Sequence, residues 1–492
     1  MIFFVEGSLF VETKSIIFLP SENSFKPRIF SVISVLFCLS SSSLIVFLFS
    51  IIYFLSISFI NHKSQNRVKN IPILYFFGVG MFEAVKKEDP LIYDLILKEK
   101  ERQMEGIELI PSENLISLAV MQAMGSYPNN KYSEGYPGHR YYGGNEIIDK
   151  IENEAINRCK TLFGAEHVNV QPNSGSPANM AAYAALLSPG DKAFGMKLTE
   201  GGHLTHGHKV NFSGKTYDFM QYGVDKETEQ LDYGVIKEFA QKEKPKLILS
   251  GYTAYPRKID FKKFRSICDD VGAFAMADIS HIGGLCATGV HENPVPYFDV
   301  VTTTTHKTLR GPRSAIIMCK KEFAEKIDKA VFPGLQGGPH EHTIAAKAIA
   351  FKEAATPEFK IYTEQIVKNA KQLAQSLMEL GYRLVSNGTD THLILVDTRT
   401  SGISGIDAEK ALEKAGIYCN KNTIPFETGS PWDPSGIRIG TPVLTTRGMK
   451  EEEMKQVASF SDSALKARKD DAKLAKIKEE VVVFCKDFLF YD

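Results

Sequence analysis

An alternation of short apolar runs with helical stretches constrains the fold more than any other feature of this chain. The runs are His167–Gln171, Lys192–Met196, Lys246–Ser250, Ala273–Ala277, Asp299–Thr303 and Ala315–Cys319. Each has strand length, and most are apolar at nearly every position, the signature of strands buried on both faces. Helical patterns such as Pro177–Leu187 and Phe261–Val271 lie between some of them. This order predicts an α/β domain, a sheet with helices on both sides. Upstream, Asp89 or Pro90 opens a helix that Gly106 ends. A second helix follows Gly143-Gly144, aligns Ile148, Ile151, Ala155, Cys159 and Leu162, and stops at Gly164. Downstream, the polar-faced helix Glu358–Leu380 leads to strands at Tyr382–Val385, His392–Val396 and Ile437–Ile439. Helices at Asp407–Ala415 and Lys450–Lys466 complete a smaller α+β domain.

The length of 492 residues suits two or three domains. Lys+Arg and Asp+Glu both number 58, which gives no electrostatic case for nucleic acid or acidic membranes. The 7 cysteines are an odd number without a CxxC pair, as expected of free thiols in a reducing compartment. From Ile29 to Ile60 there is no charged residue, a run long enough to span a bilayer. The composition changes sharply near Met81. Three readings of residues 1–80 follow: an upstream start codon read in error, a membrane anchor, or a targeting segment, although the Arg-rich transit pattern is absent. The segment divisions expected are 1–80 as this extension, 81–114 as an N-terminal arm, 115–365 as the large domain and 366–492 as the small one.

The chemistry gathers around Thr302-Thr-Thr-Thr-His306-Lys307. A lysine at the end of a buried strand is costly, because its ammonium is desolvated and its pKa falls. Such a lysine is the type that bonds to a carbonyl cofactor. Pyridoxal phosphate would then need a phosphate cradle, an acid for its ring nitrogen and a cation for the substrate carboxylate. Ser174-Gly175-Ser176-Pro177 opens a helix after a strand, as a phosphate cradle does; the same four residues also read as an ordinary helix cap. Asp278 closes the run Ala273–Ala277 at the strand end where α/β sheets bind ligands, or it simply caps the strand. Arg438, between Gly436 and Gly440, suits a bidentate carboxylate clamp, or it is a surface arginine. His203, His206 and His208 invite a zinc reading, but no matching carboxylate or cysteine set accompanies them. His203 is better suited to stacking on a ring. His281 lies three residues beyond Asp278. In the loop from Asn130 to Gly144, Glu134 is a candidate general acid or base.

With these residues in view, the chain resembles serine hydroxymethyltransferase. The matching stretches are Glu108–Asn114, Asn130–Gly144, Gln171–Asn179, Gly201–Gly207, Asp278–Gly284, Thr302–Arg313, Phe332–Pro339, Asn420–Pro425 and Ser435–Pro442, in the family's order. The resemblance implies a fold-type I pyridoxal-phosphate enzyme, with a mostly parallel seven-stranded sheet and a smaller C-terminal domain. It implies that Lys307 carries the cofactor, Asp278 pairs with its ring nitrogen, His203 stacks on it and His281 lies near its oxygen. Ser174, Gly175 and Ser176 would hold the phosphate beside His306, with Tyr132 and Gly337 reaching in from a neighbouring subunit. Arg438 would bind the amino-acid carboxylate with Ser112 and the neighbour's Tyr142. Glu134 of the neighbour would handle the proton of the substrate hydroxyl and the folate. Thr304 and Arg313 would tune the lysine, and Leu198, Gly202 and Asn422 match folate-contacting positions.

The implied reaction moves the serine hydroxymethyl carbon to tetrahydrofolate, giving glycine and methylenetetrahydrofolate. A cytoplasmic homodimer or tetramer with shared sites is expected, without nucleic acid and without metal. Pro111, Ser280, Gly283 and Thr199-Glu200 depart from the commonest family pattern at the cofactor and folate rims. Two rivals are a folate-independent β-hydroxy amino acid aldolase of the same fold and a membrane-anchored scaffold that has lost catalysis.

Overall fold

The computed structural model describes residues 3–5, 8–10 and 82–491, apart from 428 and 431. Phe3–Val5 pairs antiparallel with Ser8–Phe10. The apolar run 29–60, read as a span, lies outside the described residues. Among the described residues, no helix is long and apolar enough to cross a membrane.

The apolar runs form the main sheet. Its strands are β1 (His167–Asn169), β2 (Lys192–Met196), β3 (Asp218–Tyr222), β4 (Leu247–Gly251), β5 (Phe274–Asp278), β6 (Val300–Thr304) and β7 (Ala315–Cys319). Their spatial order is β1-β7-β6-β5-β4-β2-β3. The pairs β6–β5, β5–β4, β4–β2 and β2–β3 are parallel, and β7 runs antiparallel to both its neighbours. The seven-stranded, mostly parallel sheet is therefore present. β3 is an addition to the sequence reading.

The period-2 geometry of strands sorts the core into two layers. The helices that cover it include α1 (Pro90–Glu105), α2 (Glu146–Phe163), α3 (Gly175–Leu186), α4 (Phe261–Val271), α5 (Glu341–Ala354) and α6 (Pro357–Glu379). Ile248, Ala275, Ala277, Val301 and Ile316 pack with Phe163 of α2, Phe264 of α4 and Phe351 of α5. The alternate residues Leu247, Leu249, Met276, Val300 and Ile317 pack with Ala178, Ala182 and Tyr183 of α3. Burial on both faces explains the unbroken apolar runs. Each large side chain contributes about 1.5–3 kcal/mol.

Local signals set the helix ends. Asp89 accepts a hydrogen bond from the Ile92 N–H, with Pro90 in the first turn of α1. Gly164 ends α2 at φ 71°, a conformation that favours glycine.

α6 leads to a second sheet of β8 (Arg383–Leu384), β9 (Leu393–Asp397), β10 (Asn420–Asn422) and β11 (Gly436–Gly440). Its order is β8-β9-β11-β10, antiparallel throughout. α7 (Gly405–Lys414), α8 (Glu451–Lys466) and α9 (Asp471–Cys485) share its core. The segment after α1 joins this part: Ile107–Glu108 pairs in parallel with Ile417–Tyr418. Arg447 fastens it by donating to the carbonyls of Met104 and Gly106, each at 2.6 Å. The six described cysteines are free and buried.

Candidate active site

The parallel strands β2, β4, β5 and β6 end on one edge of the sheet, and the segments that leave them carry the candidate residues. Asp278 is the last residue of β5 and is 8% exposed. Its Oδ2 accepts from Asn179 Nδ2 at 2.9 Å and from His206 Nε2 at 3.1 Å, and its Oδ1 accepts from the Ser280 N–H at 3.0 Å. Burial would raise its pKa, but these bonds outweigh it and hold the carboxyl well below its usual range.

His206, raised in the sequence only as a zinc candidate, is a hydrogen-bond partner of Asp278 that its place in the chain did not reveal. Its Nδ1 accepts from the His203 N–H at 3.2 Å, so its proton sits on Nε2 and points at Asp278. The three-histidine motif thus spends one ring on the acid. His203 is fixed by a relay: Asn179 Nδ2 donates to Thr205 Oγ1 at 2.9 Å, and that hydroxyl donates to His203 Nδ1 at 2.8 Å. Burial, first, lowers the His203 pKa to about 4, so the ring is neutral.

Lys307 follows β6 by three residues. Its backbone carbonyl accepts from Asn114 Nδ2 at 2.9 Å, and Asn114 also donates to Tyr362 Oη at 2.8 Å. A side chain from the segment after α1 thereby pins the lysine loop to α6. Desolvation lowers the Lys307 pKa to about 7; Asp278 opposes the shift, and Arg438 and Arg313 add to it. Arg313 itself is exposed. Thr304, the last residue of β6, is bonded to Ser280 through its N–H at 3.1 Å. Its methyl group rests against Gly175, where a Cβ would stand 2.8 Å away. Ser174 occupies the N-cap position of α3 without a side-chain cap bond, so its hydroxyl is not spent on the helix, and Gly175 and Ser176 form the first turn. His306 is partly buried, its Nδ1 has no partner among the described residues, and burial lowers its pKa to about 3.

Arg438 lies at the centre of β11 and is 7% exposed, so the surface reading is wrong. Its Nη1 donates to the Thr253 carbonyl at 2.7 Å and its Nε to Asn420 Oδ1 at 3.0 Å. Among the described residues it has no carboxylate partner. Burial lowers its pKa to about 10, which leaves a charged, uncompensated guanidinium. Leu109 accepts from the Gly440 N–H at 2.8 Å, which lays the segment containing Ser112 along the end of β11. Pro111 fits there because Gly440 has no Cβ; one would lie 2.7 Å from the proline. Leu198 and Gly202 sit in the turn after β2, and Gly202 approaches the Met196 carbonyl too closely for any side chain. Glu200 turns inward to the Val224 N–H at 2.9 Å and Lys197 Nζ at 2.7 Å. Asn422 ends the edge strand β10 opposite Gly436.

His281, 1% exposed, meets His392, the residue that precedes β9, with Nδ1 of the first and Nε2 of the second 3.1 Å apart.

Tyr132, Glu134, Tyr142 and Gly337 form a separate group. Tyr132 Oη donates to Glu134 Oε1 at 3.3 Å, the Tyr132 and Tyr142 rings meet edge-on at 4.8 Å, and a Cβ on Gly337 would be 3.2 Å from Glu134. Both tyrosines are exposed. Among the described residues, no hydrogen bond joins this group to Lys307, Asp278, His203 or Arg438. Beneath it, Ser133 Oγ donates to Glu341 Oε1 at 2.7 Å and Arg140 Nη2 to Glu152 Oε2 at 2.6 Å, both carboxylates being buried. Lys347 donates to the carbonyls of Val170 and Ala315 in the same layer.

The residues present fit pyridoxal phosphate: a desolvated lysine, an ionised buried acid, a helix N-terminus with a free hydroxyl, and an unpaired buried cation meet at one sheet edge. Fold and site together define a fold-type I pyridoxal-phosphate enzyme. The family model described as Serine hydroxymethyltransferase matches residues 85–461, and the chain belongs to that family. Its members are pyridoxal-phosphate-dependent transferases that interconvert serine and glycine with tetrahydrofolate.

Proposed function

We propose that each residue serves this reaction from the position described above. When bound, the cofactor supplies an electron sink for the charge released as the serine Cα–Cβ bond breaks. Lys307, with a large neutral fraction near pH 7, holds it covalently. Asp278 stays ionised through its three donors and would hold the proton on the cofactor ring nitrogen. His203 would stack on the cofactor ring and His281 would sit near its ring oxygen. Ser174, Gly175 and Ser176 bind the phosphate at the α3 N-terminus, with His306 alongside. Arg438 and Ser112 grip the serine carboxylate, and Arg438 is oriented by Thr253 and Asn420. Thr304 and Arg313 set the surroundings of the lysine. Leu198, Gly202 and Asn422 line the folate rim.

The exposed group of Tyr132, Glu134, Tyr142 and Gly337 completes the site of a second copy, which makes the enzyme a homodimer. There Glu134 moves the proton of the serine hydroxyl, Tyr142 supports the carboxylate, and Tyr132 and Gly337 close on the phosphate. Residues 81–114 act as an arm, 115–365 as the cofactor domain and 366–492 as the small domain, in the cytoplasm.

The single observation behind this reading is Lys307, a desolvated amine without a carboxylate partner among the described residues, while Asp278, the acid whose charge it feels, is committed to His206, Ser280 and Asn179. Borohydride reduction of the holoenzyme followed by peptide mass spectrometry tests it. The cofactor mass on Lys307 is the expected result; the mass on another lysine, or none, refutes the assignment.

A further inference from the structure

The His281–His392 pair carries information that neither ring holds alone. The two imidazoles come from different turns, His281 three residues past the end of β5 and His392 just ahead of β9, 111 residues apart in sequence. Their centroids are 5.4 Å apart and their planes 24° apart, the near-coplanar, edge-to-edge arrangement of rings joined by one N–H···N bond. Both are buried, at 1% and 0% exposure. Burial, reinforced by the charges of Lys307 and Arg438, keeps both neutral: the His281 pKa falls well below the usual value and that of His392 to about 3. One proton is therefore shared between His281 Nδ1 and His392 Nε2, and one ring must be its donor.

His392 Nδ1 decides which. That atom is buried and has no hydrogen-bond partner among the described residues. If His281 were the donor, the proton of His392 would have to sit on Nδ1, as an orphaned buried N–H. Orphaned buried N–H groups are rarer than under-satisfied acceptors. The arrangement with His392 protonated on Nε2 leaves only a bare lone pair there. His281 Nδ1 is then the acceptor, and its own proton must lie on Nε2.

We infer that His392 is a positioning residue: by donating its Nε2–H to His281 it locks that ring in the Nε2–H tautomer, so that the Nε2 edge of His281 is a hydrogen-bond donor and never a base. A side chain just ahead of β9 thereby controls the polarity of a ring just beyond the end of β5. What the donor faces rests on the cofactor reading above; the tautomer does not.

Neutron diffraction from deuterated holoenzyme crystals reads the tautomer directly. Deuterium on Nε2 of both histidines, and on neither Nδ1, is the expected result. Deuterium on His281 Nδ1 or His392 Nδ1 overturns the inference, even where borohydride has already placed the cofactor on Lys307. The variants His392→Phe and His392→Gln give a second readout. His392→Phe removes the donor, shifts the pH midpoint of the bound-cofactor absorbance by about half a unit or more, and lowers serine turnover about fivefold. His392→Gln places an amide N–H in the same region and recovers most of the shift. Equal midpoints in wild type and His392→Phe would also overturn it. Should His392→Phe fail to fold, the neutron result on the wild type decides alone.

Discussion

Gly175 and Thr304 touch with no room for a methyl group between them: a Cβ on Gly175 would stand 2.8 Å from Thr304 Cγ2. The cradle at the start of α3 is thus fitted against the end of β6, the strand that delivers Lys307. Gly175→Ala should push the two apart at a cost of about 1–3 kcal/mol, about tenfold or more in cofactor affinity. Thr304→Ser removes the clashing methyl and keeps the hydroxyl. The double variant should therefore recover most of the affinity, as read by cofactor titration of dialysed enzyme. Loss in the double variant equal to that of Gly175→Ala alone would rule out this contact as the cause.

The Lys307 amine should set the pH dependence of cofactor loading. Only the neutral amine attacks a carbonyl, and its pKa is lowered to about 7 from 10.5. The rate at which apoenzyme takes up cofactor should rise with pH, with a midpoint near 7 and a plateau above it. Stopped-flow absorbance across the range checks this. A rate still climbing at the ordinary lysine value would contradict the desolvated setting.

Arg438→Lys keeps the charge and loses the fork. Thr253 and Asn420 hold the guanidinium in one orientation, which a flexible ammonium does not reproduce. A charge-assisted bond is worth about 1.5–3 kcal/mol, so the serine KM should rise about tenfold to a hundredfold. Steady-state kinetics with serine and glycine would show it, and an unchanged KM would remove Arg438 from the carboxylate site.

Glu341 should make stability fall as pH rises from about 4.5 to about 7. Burial, first, and the nearby Glu152 raise its pKa from 4.5 to about 7, with Ser133, Arg140 and Lys347 opposing. Between those two values the folded protein keeps a proton that the unfolded chain has released, so stability declines as pH rises through about 7. Glu341→Gln removes this linkage. It should raise Tm by about 2 °C or more at alkaline pH and by less in acid, measured by calorimetry. A gain that is the same at both ends would refute the linkage.

Much of this architecture is legible in the residues because burial is two-sided. β2, β7 and α4 have the ends that their apolar patterns predict. β3 escaped because it is an edge strand, with Asp218 exposed and Gln221 only partly covered. β10 is Asn-Lys-Asn, and only its pairing with β11 makes it a strand. At the site, Lys307 and Asp278 announce themselves by type and place. His206 and His392 do not, because their partners lie 72 and 111 residues away and only tertiary contact identifies them. Arg438 reads as a clamp or as a surface residue until its burial is known.

The bond from Arg438 to Thr253 bears on how such a protein could be recombined. The acceptor is a main-chain carbonyl, present whatever residue stands at 253, while Asn420 travels with the arginine on the same sheet. A chimera that exchanges β8–β11 with those of a relative would bring its carboxylate anchor along intact. The His281–His392 contact has no such tolerance, because each half of the chimera must contribute its own imidazole. That single junction, rather than the guanidinium, is where exchanges between divergent relatives should fail first.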